Sequence, residues 1–203
     1  LEYLRNSREL CERGLYVELD AYQYQVFLDF REVRDDATRR YATLCAYLNG
    51  RGVPGIDAAM REVLLQPVHG PYKALVNAGM FRYLRDASAD PAIAPAALAE
   101  TEDKLRALFG AVAAFTGGQD DAAALARRVR GEFAVLLGLS ALEPDDALAR
   151  TLAAIGLPAH DAARYTLFGW LATRALGRLA GTPDAAGQSR AWLDEWLLGR
   201  TLA

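Results

Sequence analysis

Two hydrophobic periods divide the chain. Near the N-terminus, Leu15, Val17 and Leu19 alternate with polar positions, and after Asp20–Ala21 an alternation resumes over Tyr22–Phe30. A period of two with aromatic and β-branched enrichment predicts a β-hairpin that turns at Asp20–Ala21. Further along the chain, apolar residues recur three and four positions apart, which predicts helices. The expected fold class is therefore mainly α: a helical bundle with one N-terminal β-hairpin.

The predicted hairpin has apolar side chains on both faces. Its main apolar row consists of Tyr22, Tyr24, Val26, Leu28 and Phe30. Tyr16 and Phe27 oppose this row. An isolated two-stranded hairpin is marginally stable in water, so this one needs cover. Downstream helices or further strands of a larger sheet could supply it. We favour the larger sheet, because a bare aromatic edge would promote aggregation.

The pattern predicts three regions. Residues 1–33 would hold a short helix, stopped at Gly14, and the hairpin, as the end of a larger β domain. Residues 34–87 would hold short helices, one of which should stop at Gln66–Pro67. Residues 95–203 would form an antiparallel helical bundle, since loops of a few residues between long helices bring neighbours together antiparallel. A stretch of small residues and prolines separates the last two regions.

The bundle should contain five helices with recognisable ends. Gly117–Gly118 should terminate the first, and Asp120–Asp121 should cap the second. Pro144 to Asp146 should open the third, which would stop at Gly156. The predicted long helices are Ala96–Phe115, Ala122–Leu139, the helix ending at Gly156, Asp161–Leu179 and Ala185–Leu198.

Composition narrows the class of partner and compartment. The 203 residues are 52% hydrophobic and 24% charged, with a net charge of −3. That charge disfavours binding to nucleic acid or to anionic lipid. No apolar run approaches the roughly 20 residues that span a bilayer, and no signal peptide is visible. Two cysteines, Cys11 and Cys45, make no disulfide framework, so we expect a cytoplasmic protein. Because the chain starts at Leu1, we expect a piece of a longer polypeptide.

The residues predict no catalytic, cofactor or metal site. His69 and His160 are the only histidines, and neither has a Cys or His at ligand spacing. His69, in a Pro-Val-His-Gly-Pro sequence that indicates a turn, should serve packing or the turn, and His160 should serve a helix start. No serine lies in a Gly-x-Ser-x-Gly elbow. Adjacent carboxylates fall at expected helix starts or on polar faces, where capping explains them better than catalysis. These pairs are Asp35/Asp36, Asp120/Asp121, Asp145/Asp146 and Asp194/Glu195.

Three tryptophans offer one weaker candidate site. Trp170, Trp192 and Trp196 could form a platform on which a sugar stacks. Trp192 and Trp196 are four residues apart, so they share a helix face. Aromatic residues at helical spacing more often belong to a core, and core packing is the favoured interpretation.

A family resemblance lies in residues 1–81. The ordered segments that carry it are Ser7–Gly14, Leu15–Leu19, Tyr24–Val33, Ala46–Pro54, Gln66–His69 and Leu75–Ala78. Together they resemble the region that follows the catalytic barrel in large bacterial proteins of the α-amylase superfamily of glycoside hydrolases. In that superfamily an all-β domain follows the barrel and commonly finishes on strands of this kind. The remainder of the chain is similar only to a variable tail.

The resemblance implies a function without supplying a catalytic residue. None of the motifs around the superfamily's two catalytic aspartates and its glutamate occurs here, and one hairpin cannot provide an eight-stranded barrel. We therefore expect a non-catalytic C-terminal accessory region of an α-amylase-like enzyme acting on α-glucans. Its partner would be the rest of the parent chain, with α-glucan as a second candidate partner. The alternative is a stand-alone helical module that binds another protein.

Overall fold

The described part of the chain is mainly helical. The computed structural model describes residues 1–118, 121–139, 147–154 and 161–199. Over these ranges the helices are α1 (Ser7–Arg13), α2 (Arg40–Leu48), α3 (Ile56–Leu75), α4 (Ala78–Ala89), α5 (Ala94–Thr116), α6 (Ala122–Gly138), α7 (Ala147–Ala154), α8 (Asp161–Thr173), a 3-10 helix (Leu176–Ala180) and α9 (Ala185–Glu195). The mainly α class predicted from the sequence is confirmed.

The predicted hairpin is wrong. No strand forms over Leu15–Val33, all of which the structure describes. The turn does form where it was expected, because the Gln23 amide donates to the Asp20 carbonyl over 3.0 Å. Of the two central residues only Tyr22 has a positive φ, of 66°, as in a type II turn. Such turns splay their arms, whereas the primed turns of tight hairpins match the strand twist. The arms consequently stay unpaired.

The described residues fall into two compact units, divided between Gln66 and Pro67. The first unit has a small core. Its buried members are Leu44, Leu48, Ala59 and Val63. One antiparallel β-bridge between Glu2 and Val53 fastens the N-terminus, with hydrogen bonds of 2.7 and 2.9 Å. No residue of α1 is buried, so this helix adds nothing to the core.

The second unit has a large aromatic and leucine core. Phe109, Phe133 and Phe168 are each at most 1% exposed. The Phe168 ring stacks on Phe133, with centroids 5.9 Å apart, and lies 5.8 Å from the Phe81 ring. Burying a large side chain of this kind contributes about 1.5–3 kcal/mol. This unit therefore carries most of the apolar burial in the described chain.

Several helix ends follow the sequence signals. Gly14 and Gly117 take positive φ values of 76° and 70° just after α1 and α5, a backbone conformation that glycine adopts without steric cost. The Asp121 carboxylate accepts hydrogen bonds of 2.9 Å from the amides of Ala123 and Ala124, which caps α6. These three ends are confirmed.

The predicted helix stop at Gln66–Pro67 is wrong. Helix α3 continues through Pro67 and Pro71 to Leu75. A proline inside a helix removes one amide and leaves the carbonyl four residues earlier without its partner. Pro67 itself is exposed. His69 therefore lies within a helix and not in the turn that was expected.

The last part of the chain differs in detail from the prediction. The helix expected over Asp161–Leu179 is divided into α8 and the 3-10 helix. The expected ends of the third bundle helix, at Pro144–Asp146 and Gly156, lie outside the described residues, as do Asp120 and His160.

Candidate functional site

The most exposed apolar surface is the stretch Leu15–Val33, here called the N-terminal apolar segment. The apolar row predicted for one face is bare: the exposed fractions are 105% for Tyr22, 87% for Tyr24, 67% for Val26, 78% for Leu28 and 78% for Phe30. Contiguous apolar exposure of this kind marks interaction surfaces. The segment is thus the leading candidate for contact with another protein or domain.

The opposite side of this segment is attached to the N-terminus. Phe27 is only partly exposed, and its ring meets the Tyr3 ring edge-on with centroids 5.7 Å apart. The Gln25 side-chain amide donates to the Tyr3 hydroxyl over 3.1 Å. Residues one position out of register with the main row therefore make the contacts. The attachment leaves the main row facing away from the unit that carries it.

The backbone of the N-terminal apolar segment is also open. Across Leu15–Val33 the structure contains one backbone–backbone hydrogen bond, that of the Asp20–Gln23 turn. Unpaired backbone amides and carbonyls can form hydrogen bonds with a strand of another sheet. Side chains and backbone alike are therefore available to a neighbouring sheet.

The three tryptophans occupy two different environments. Trp192 and Trp196 are each 6% exposed and stack with centroids 4.6 Å apart. Phe115 meets the Trp196 ring edge-on at 5.6 Å. Trp170 is 53% exposed. Of the three candidate sugar-stacking residues, Trp170 alone presents much of its ring to solvent.

Two charged side chains that sequence reasoning did not single out are linked to Trp170, one directly and one through the first. The guanidinium carbon of Arg174 lies 4.6 Å from the centroid of the indole ring. An Arg174 nitrogen, Nη2, lies 2.5 Å from Oε2 of Glu132 on α6. The i, i+4 spacing of Trp170 and Arg174 could have revealed the first contact. Glu132 lies 38 positions from Trp170 in the sequence, so only tertiary packing reveals the second.

The described members of the carboxylate pairs serve as helix caps or lie on polar faces. Asp35 accepts from the amides of Tyr41 and Ala42, at 3.0 and 2.8 Å. The Thr38 hydroxyl and then the Arg40 guanidinium lower the pKa of Asp36 by hydrogen bonding to its charged form. A lowered pKa on an exposed carboxylate describes a stable anion and not a proton donor.

The lone described histidine and the cysteines form no reactive cluster. His69 Nε2 lies 2.8 Å from the Trp196 carbonyl oxygen, to which it donates. Cys11 is exposed, Cys45 is half-buried, and neither is in a disulfide. In the described part of the chain, no three or more His, Cys, Asp or Glu side chains are grouped so as to hold a metal ion.

The first unit also has a small cleft. It has a volume of about 180 Å³ and is lined by Tyr47, Leu48, Arg51, Gly52, Val53, Ala59 and Glu62. Arg51 donates from Nε and Nη2 to the carbonyls of Leu48 and Tyr47, at 3.1 and 3.2 Å. Ligand sites are usually larger, about 300–1,000 Å³. The cleft is therefore not a convincing substrate site.

Comparison with known proteins yields no relative. No family model matches the chain, no curated protein is similar to it, and no solved structure resembles it. Within the described residues, no helix is both long enough and apolar enough to cross a membrane.

Proposed function

We propose that this chain is a non-catalytic C-terminal accessory region of an α-amylase-like glycoside hydrolase that acts on α-glucans in bacterial carbohydrate metabolism. Its N-terminal apolar segment would pack against the β domain of that enzyme. The two carboxylates that hydrolyse or transfer the glycosidic bond would lie elsewhere in the enzyme. The accessory region would brace the β domain or assist assembly.

The observation that carries the proposal is the bare apolar row. Tyr24, Val26, Leu28 and Phe30 are each at least 67% exposed, on a stretch of backbone with few hydrogen bonds. Burying such side chains against a sheet would contribute roughly 1.5–3 kcal/mol each. The same residues lie within the segments that resemble the α-amylase superfamily. The exposed row and the family resemblance therefore both support attachment to the enzyme through the N-terminal apolar segment.

The proposal includes a cytoplasmic location. Cys11 and Cys45 are both free thiols in the structure. Unpaired cysteines suit a reducing compartment.

A dye-binding experiment tests attachment. Alone, the chain should bind a dye specific for exposed apolar surface and self-associate on size exclusion. A row variant with Tyr24, Val26, Leu28 and Phe30 changed to Ser should lose both properties. The matched control changes Val135, itself 68% exposed, to Ser, and should retain both.

The same row is then tested in the complete reading frame. The polypeptide that includes the residues encoded upstream should release reducing sugar from soluble starch and bind little dye. Row substitutions there should raise dye binding and lower thermal stability. An upstream frame without a catalytic barrel, or a wild-type chain that binds no dye, would refute the proposal.

A second candidate function is a stand-alone helical module that binds another protein. The observation in its favour is the independent core of the second unit, around Phe109, Phe133 and Phe168. This candidate predicts a monomer with one cooperative melting transition and no dye binding. Aggregation that is relieved by deleting residues 1–30 would favour the accessory region instead.

A further inference from the structure

We infer that Tyr3 is the positioning residue of the N-terminal apolar segment: it holds this segment to the first unit and sets which side faces outward. In the described chain, one hydrogen bond joins the segment to residues outside it, from Gln25 Nε2 to the Tyr3 hydroxyl. Phe27, whose ring meets the Tyr3 ring, is half-buried in an otherwise mostly exposed stretch. That the outward side docks on an enzyme rests on the proposed function, whereas the anchoring role of Tyr3 does not.

The backbone of Tyr3 is fixed by the residues on both sides of it. Glu2 exchanges two backbone hydrogen bonds with Val53, of 2.7 and 2.9 Å. The Glu2 carboxylate also accepts a 2.6 Å hydrogen bond from the Ile56 amide at the start of α3. Leu4 packs against the buried core cluster of the first unit. A side chain on backbone held in this way can serve as an anchor.

Gly52 provides the space that the Tyr3 ring occupies. A Cβ at Gly52 would lie 2.7 Å from Cε1 and Cζ of Tyr3 and 3.1 Å from its hydroxyl oxygen. Gly52 does not have a positive φ, so the ring, and not the backbone conformation, explains a glycine here. The Arg5 guanidinium carbon lies 5.6 Å from the ring centroid. The ring is therefore seated on the loop before α3, from where it contacts the segment.

The two ends of the Tyr3 side chain select one side of the segment. The ring pairs with Phe27, and the hydroxyl accepts from Gln25, two positions earlier. The neighbouring set could not replace this pair, because Val26 and Leu28 have no side-chain donor for the hydroxyl. Contact with Tyr3 thus leaves the apolar row as the side that faces away.

Chymotrypsin cleavage after Phe27, mapped by mass spectrometry on the 203-residue chain, tests the anchor. Gly52→Ala should displace the Tyr3 ring at little cost to the fold, since the obstructing atoms are the far end of a side chain. It should raise the cleavage rate about two- to tenfold, the factor to which an aromatic pair corresponds. Tyr3→Ala should raise it similarly. Gly55→Ala is the matched control in the same loop, where a Cβ meets open space, and should be cleaved like the wild type.

Combined and conservative variants separate anchoring from a general loss of structure. Because Tyr3→Ala and Gly52→Ala remove the same contact, the double variant should be cleaved no faster than either single one. Tyr3→Phe keeps the ring and should be cleaved more slowly than Tyr3→Ala. Cleavage after Tyr47, on α2 of the same unit, should stay at the wild-type rate. Wild-type cleavage after Phe27 in either single variant, additive effects, or an equal rise at Tyr47 would each overturn the inference.

Dye binding by the complete polypeptide tests whether the anchor serves docking. Tyr3→Ala should raise dye binding there, and adding it to the row variant should raise it no further, because both act through the same surface. No rise in a polypeptide whose wild type binds little dye would overturn the role of Tyr3 in presenting the row. A complete wild-type polypeptide that binds as much dye as the isolated chain would instead count against the proposed function. The cleavage test of Tyr3 is unaffected by that result.

Discussion

Ser189 is the residue whose loss should reveal most about how the second unit is held together. It is 4% exposed, and its hydroxyl oxygen accepts a 2.8 Å hydrogen bond from the Gly177 amide. The same oxygen lies 2.9 Å from the carbonyls of Arg174 and Ala185, to either of which it can donate. Gly177 lies at the start of the 3-10 helix, where amides have no partner within the helix. Ser189→Ala removes the only acceptor that the structure gives this amide.

The size of the effect follows from what is left unpaired. A buried amide without an acceptor costs about 1–3 kcal/mol. Alanine creates almost no cavity, and it is a better helix former than serine, which recovers a few tenths of a kcal/mol. We expect Ser189→Ala to lower the free energy of unfolding by roughly 1–3 kcal/mol. In a unit of this size that corresponds to a fall in Tm of about 3–10 °C.

Chemical denaturation followed by circular dichroism measures this change. The matched control is Thr166→Ala on α8, since the exposed Thr166 hydroxyl donates to the Ala162 carbonyl of its own helix over 2.8 Å. Removing that exposed bond should change stability by less than about 0.5 kcal/mol. A Ser189→Ala protein as stable as the wild type, or a Thr166→Ala protein equally destabilised, would refute the reasoning.

Three further predictions concern backbone, capping and charge. Gly177→Ala should destabilise the protein by more than about 2 kcal/mol, because a Cβ there would overlap the backbone of α9. Gly110→Ala is the control: its Cβ would lie in open space on α5, so it should stabilise the protein by roughly 0.5–1 kcal/mol. Thermal melts of the two variants measure both changes. Asp121→Ala should cost about 1 kcal/mol by uncapping α6, and unchanged denaturation would contradict this. The pKa of the Asp36 carboxyl should lie below 3.8, so its contribution to stability is present above that pH and is lost as the pH falls through the lowered pKa. In an NMR titration, Thr38→Val should raise the midpoint for Asp36, because it removes the hydroxyl that bonds the charged form. An unchanged midpoint would contradict the role given to Thr38.

Local signals in the sequence predicted local structure well. The glycine after α5 and the aspartate before α6 act within one helical turn, so Gly117 and Asp121 could be assigned without knowing the fold. Even in the failed hairpin, the turn at Asp20–Gln23 was placed correctly. What failed was the pairing of its arms. Pairing depends on the hand of the turn, and alternation of apolar residues carries no information about that hand.

The candidate sites were predictable to the same limited extent. Tryptophan content pointed to Trp170, Trp192 and Trp196 together, but exposure distinguishes the first from the other two only after the helices pack. Pro67 shows the same limit of sequence-based prediction. A proline usually ends a helix, yet an exposed proline can be accommodated when tertiary packing supports the helical turns on both sides of it. Non-local packing decides both cases, and no short window of sequence contains it.

The attachment proposal rests on the smaller of the two compact units. The N-terminal apolar segment belongs to the unit with only four residues in its buried core cluster. A unit with so little core gains more from an external sheet than it could from its own helices, so attachment should raise its stability steeply. The second unit, by contrast, has a large aromatic core of its own. Attachment to the parent enzyme should therefore stabilise the first unit more than the second.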